Sequence, residues 1–78
     1  MIKELDTVAL TRELPEHILQ AVDLGAVVMV YASDGGGEAE YEVEFVALDG
    51  KTLALVTLPA TAIRPIRARE IPHAREVA

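Results

Sequence analysis

Hydrophobic and polar positions alternate most clearly between Tyr41 and Leu58, where YEVEFVAL and KTLALVTL flank Asp49-Gly50. Val, Phe, Tyr, Thr and Leu at period two mark strands, and Asp-Gly accepts the positive φ angles of a two-residue type I′ turn, so the stretch predicts a β-hairpin. With that turn Leu48 stands opposite Lys51, while Phe45, Val43 and Tyr41 pair with Ala54, Val56 and Leu58 on the face that becomes core. The other face pairs Val46 with Leu53, Glu44 with Leu55 and Glu42 with Thr57, so it is half apolar and half acidic.

Upstream, Leu5 to Thr11 alternates imperfectly and predicts a first strand. Residues 12–24 leave two readings open. Pro15-Glu16 suits the first turn of a helix, with Leu14, Ile18 and Val22 at i, i+4 and i+8. Equally, the segment is a long irregular loop pinned by Leu14, Ile18 and Leu19. Gly25 then opens Ala26–Ala32, a second strand without a polar face, which must be covered on both sides. Ser33-Asp34-Gly35-Gly36-Gly37 predicts a mobile hairpin tip. A phosphate cradle is not expected there, because no Lys-Ser or Lys-Thr follows and Glu38 and Glu40 repel phosphate. Pro59 ends the fourth strand, a single turn follows through Ala60–Ala62, and Ile63–Ile66 forms a fifth strand.

This order predicts a mainly all-β protein: a small five-stranded SH3-like barrel over residues 1–66, with a long loop after strand 1. An open antiparallel sheet packed on a C-terminal helix is the alternative. Residues 67–78, RAREIPHAREVA, form a basic tail with a helical turn or two after Pro72, suited to docking on a neighbouring subunit.

Composition sharpens the picture. The 78 residues are 51% hydrophobic but contain no Trp and one Phe, so the core is aliphatic. With no Cys the domain has neither disulfide nor thiolate metal site, and a small unstapled domain often leans on a partner subunit. No apolar run reaches signal-peptide or membrane-span length, so a soluble, cytoplasmic protein is expected with no membrane contact.

Charge is asymmetric. Residues 1–50 carry eleven acids against Lys3 and Arg12, a net of −9, and residues 51–78 carry five bases against Glu70 and Glu76, a net of +3, which makes the −6 of the whole chain. That balance disfavours nucleic acid as a partner, and the Arg cluster lacks interleaved aromatics for base stacking. Glu38, Glu40, Glu42 and Glu44 share one face of a strand, but side chains two apart on a flat strand do not converge on one cation. We expect the row Glu40, Glu42 and Glu44 to meet Arg64, Arg67 and Arg69 as a charged contact, within the chain or across a subunit boundary.

No catalytic constellation emerges. Ser33 is the only Ser, and His17 and His73 stand in separate segments, so no enzyme activity, cofactor or metal ligand is expected. The apolar residues left over on two-faced strands, Val27, Met29 and Tyr31 with Val46, Leu53 and Leu55, are the expected subunit interface of a homo-oligomer, dimer or larger. An unidentified protein partner, such as a basic toxin facing Glu38–Glu44, uses the same faces, and a nucleic-acid-binding barrel is the weakest alternative.

The runs LDTVALTRELPEHIL, DLGAVVMVY, YEVEFVALDGKTLALVTLPATAIRPI and REIPHAR together resemble a bacterial family of short uncharacterised proteins, the domain of unknown function 4926 type. The resemblance covers nearly the whole chain, with VALT…LPEH and YEVEF…DGKT…VTLPA as its most specific parts. It implies an SH3-like small barrel and supplies no catalytic or binding residues. Through mobile or toxin-associated gene neighbourhoods it also implies an accessory, immunity or antitoxin role. This chain departs from the family pattern at Ile18 and Ala21-Val22, where Gly and a basic-Gly stretch are usual, and at Met29, where a charged residue is usual. Asp23-Leu24-Gly25 is also loosely similar to the Gly-centred motif of ribosomal and transcription-factor barrels, and supports the barrel alone.

Overall fold

The computed structural model describes residues 2–33, 35 and 37–77. Five strands, β1 (Thr7–Leu10), β2 (Leu24–Tyr31), β3 (Glu40–Val46), β4 (Thr52–Pro59) and β5 (Ile63–Pro65), form one antiparallel sheet in the order β4-β3-β2-β1-β5. The protein is therefore all-β. The outermost strands share no ladder, so the sheet stays open between β4 and β5, where a 3-10 turn at Ala60–Ala62 connects them. The turn is tied to the end of β1 by Thr11, whose amide donates to the Ala62 carbonyl at 2.9 Å and whose hydroxyl donates to the Thr61 carbonyl at 2.7 Å.

One face of the sheet builds the core. Val8, Leu10, Val27, Tyr41, Val43, Phe45, Leu58 and Ile63 lie in it with Leu19 and Ala62. Period two sends Ala9 the other way, toward the face of its ladder neighbours Leu24 and Arg64, and it is buried there as well.

The β3–β4 hairpin keeps the expected pairs Phe45 with Ala54, Val43 with Val56 and Tyr41 with Leu58, but reaches them by another turn. Ala47 donates to Lys51 at 2.8 Å, Gly50 donates to Ala47 at 2.9 Å, and among the turn residues only Gly50 has positive φ, +92°. The loop is thus three residues, Leu48–Gly50, rather than a two-residue type I′ turn, because Asp49 keeps negative φ. The extra loop residue is offset on β4: Val46 pairs with Thr52, and Leu53 is the bulged residue before the register resumes at Ala54.

In residues 12–24 the loop reading holds. A 3-10 turn spans only Pro15–His17, Leu14 and Leu19 form an isolated bridge, and Leu19 enters the core. Ile18 does not pin the loop: it is 55% exposed and caps the turn at φ +59°. No helical turn follows Pro72, and residues 71–77 have no regular structure. The hairpin tip expected at Ser33–Gly37 includes Asp34 and Gly36, which lie outside the described residues.

Candidate functional site

The outward face of β2, β3 and β4 lies opposite the core and carries a row of exposed apolar side chains beside the β3 carboxylates. Direct ladder partners point to the same side, so the rows across it read Leu55, Glu44, Ala26, Thr7; then Thr57, Glu42, Met29; then Pro59, Glu40, Tyr31. The acidic row of β3 runs down the middle. Toward the three-residue turn it is flanked by apolar side chains, Leu24, Val46, Leu53 and Leu55, each roughly half exposed. Thr7, Leu24, Ala26, Glu44 and Val46 line a shallow depression at that end. Toward the other end the flanks are Met29 and Tyr31.

Two of the carboxylates are held by cross-strand hydroxyls. Tyr31 Oη donates to Glu42 Oε1 at 2.7 Å, and Thr52 Oγ1 donates to Glu44 Oε2 at 2.6 Å. The first bond favours the protonated phenol beside a carboxylate, which pushes Tyr31 above the usual tyrosine value. These bonds orient the acids along the face rather than toward one another. Among the described residues no group of three or more His, Asp or Glu is placed to hold a metal ion.

Of the residues expected at a subunit interface, Met29, Tyr31, Val46, Leu53 and Leu55 lie on this face. Val27 does not. It pairs with Val43 in the core at 0% exposure, because Val28 is an extra residue between the Val27–Val43 and Met29–Glu42 pairs and reverses the alternation. Leu24 and the bulge residue Val28 join the exposed set instead. Sequence reasoning missed both, because Leu24 shares its side with Ala26 only before the bulge reverses the phase, and the bulge has no signature in an all-apolar run.

The charged contact is arranged differently from expectation. Arg64 Nη2 and Nη1 donate to the two carboxylate oxygens of Glu70 at 2.6 and 2.9 Å, and the Arg67 amide donates to Glu70 Oε1 at 2.6 Å. Arg75 donates to the Asp23 carboxylate through two nitrogens and to the Ile18 carbonyl at 3.0 Å. Among the described residues neither Arg67 nor Arg69 forms an ion pair, and none of these arginines meets Glu40, Glu42 or Glu44. Carboxylates outside the β3 row take Arg64 and Arg75: Glu70 lies six residues from Arg64, and Asp23 closes the loop ahead of β2. The Arg64 guanidinium and the Arg67 amide hold Glu70 down at about 2, and the Arg75 hydrogen bond lowers Asp23 as well.

The chain belongs to the family described as Domain of unknown function (DUF4926), whose match spans residues 4–65. The match takes in all five strands and stops before the tail. No curated protein and no solved structure matches the chain. Among the described residues no helix is long and apolar enough to cross a membrane.

Proposed function

We propose that this chain is a non-enzymatic protein-interaction module that associates with itself through the apolar end of its outward sheet face. One observation carries the reading: Leu24, Val46, Leu53 and Leu55 stand together on one face, and each keeps between 41% and 54% of its surface in water. Among the described residues the tail does not cover their exposed halves, since Arg75 runs instead to Asp23 and Ile18.

Magnitudes set what such a face achieves. Fully burying a large aliphatic side chain contributes about 1.5–3 kcal/mol, so the exposed half of four residues contributes about 3–6 kcal/mol per subunit. Two subunits reach about 6–12 kcal/mol, against association costs of about 4–15 kcal/mol. The face alone therefore supports association only marginally. Light scattering on a sizing column tests the reading: the intact chain is expected above the 8.4 kDa monomer mass and Leu55→Glu at it. A monomeric intact chain at high micromolar concentration overturns it.

A second reading is favoured by the acidic row itself, which the basic tail leaves uncompensated. In it the Glu40 and Glu42 end of the face takes a basic partner protein, as an accessory or antitoxin-type protein of a mobile element would. Co-purification of such a partner, lost on Glu40→Lys/Glu42→Lys, tests it. Retention of the partner by that variant rejects this surface.

A further inference from the structure

Beyond its faces, the sheet has two edges, and they differ. β5 is three residues long, ends at Pro65, and carries Arg64 engaged with Glu70. Short length, proline and charge all blunt an edge against pairing. β4 runs eight residues, TLALVTLP, pairs only with β3, and holds no charged residue. Every second peptide group of such a strand points away from its single neighbour. Its side chains are unsealed on both sides, for Ala54 and Val56 on the core side are only partly buried while Leu53 and Leu55 on the outward side are exposed. A molecule docked flat on the outward face covers only the second pair. A strand added beside β4 covers both and also satisfies the open backbone groups.

We infer that β4 is a docking edge and that its occupant is β4 of a second copy, paired antiparallel about a two-fold axis at Leu55. This rests on the self-association proposed above and moves its contact to the edge beside that face, where Leu53 and Leu55 are covered while Leu24 on β2 and Val46 on β3 stay in water. In that register Leu55 meets Leu55 of the partner subunit, Leu53 meets the partner's Thr57, and Ala54 meets the partner's Val56, with no charges opposed. The acidic rows of the two β3 strands lie three strand spacings apart, about 14 Å. That exceeds the Debye length of about 8 Å at physiological salt, so the chain's net charge of −6 opposes the pairing weakly. The blunted β5 edge cannot accept β4, so the contact closes at two subunits instead of propagating.

A chain without Cys makes the test direct. Residues facing each other across an antiparallel pair have Cα atoms about 4.5–5.5 Å apart, within disulfide range, whereas two copies of residue 57 in this register are about 14 Å apart along the strand. Under a glutathione buffer Leu55→Cys is expected to link into dimers and Thr57→Cys alone to stay unlinked. A mixture of Leu53→Cys and Thr57→Cys is expected to link across. On the unsubstituted chain, alternate β4 amides are expected to exchange about tenfold more slowly at high than at low concentration. If light scattering shows a dimer but linking ignores this pattern and β4 amides do not change with concentration, the edge is wrong and the self-association stands. A monomer at every concentration removes both.

Discussion

A Cβ built on Gly25 would lie 2.6 Å from Val43 Cγ1 and 2.9 Å from the Phe45 ring. Gly25 is thus not required by its backbone angle, since its φ is not in the left-handed region, but by the approach of β2 onto the largest core side chain. Its paired residue across the ladder is Val8, fully buried, so neither strand can back away. Gly25→Ala is expected to cost about 1–3 kcal/mol by overpacking. In that background Val43→Ala removes the clashing methyl, and the double variant is expected to be more stable than the sum of the single losses. A denaturant-midpoint cycle that is additive would show that the clash is relieved elsewhere.

Ile18 and Val22 have φ of +59° and +68°, a region costly for β-branched residues, and both side chains are largely in water. The left-handed conformation costs a non-glycine residue about 1–2 kcal/mol, while glycine gives back part of that in unfolded-chain entropy. Val22→Gly is therefore expected to raise stability by about 0.5–1 kcal/mol, with its amide bond to the Leu10 carbonyl kept. Chemical denaturation checks it, and a lowered midpoint would mean the Val22 side chain is contributing contacts that outweigh the strain.

Glu70 is held at about 2, below its ordinary 4.5, by the Arg64 guanidinium and the Arg67 amide. A carboxyl depressed on folding contributes stability that is complete above its unfolded value and is lost as pH falls from about 4.5 through about 2. Asp23, lowered by Arg75, follows the same sign. Acidification should therefore release the tail before the sheet. In an NMR titration the signals of residues 67–77 are expected to move toward unstructured values over that window while those of the buried core residues Val8, Leu10 and Val27 keep their folded positions. Glu70→Gln should detach the Arg64–Glu70 turn already at neutral pH. Simultaneous loss of sheet and tail signals would contradict this order. Because both groups face solvent, added salt is expected to weaken both contacts.

Much of the sheet was legible because short-range chemistry specifies it. The alternation from Tyr41 to Leu58 sets the inward pairs, and a slip by one residue would turn Val43 and Phe45 into water. Pro59 and the single turn at Ala60–Ala62 were readable for the same local reasons. The outward apolar set was mostly readable too, since Met29, Tyr31, Val46, Leu53 and Leu55 lie on that face.

What the sequence by itself determined is therefore the succession of five strands along the chain and which side of the hairpin is core, for periodicity and turn residues act over a few positions. What only the tertiary structure decided are the bulge at Val28 that sends Val27 inward, the three-residue turn absorbed at Leu53, and the close approach at Gly25. The pairing of Arg75 with Asp23, 52 residues away, belongs with them. An apolar run tolerates either phase and an arginine tolerates any nearby carboxylate, so each choice waits for long-range packing to bring the competing partners to their distances.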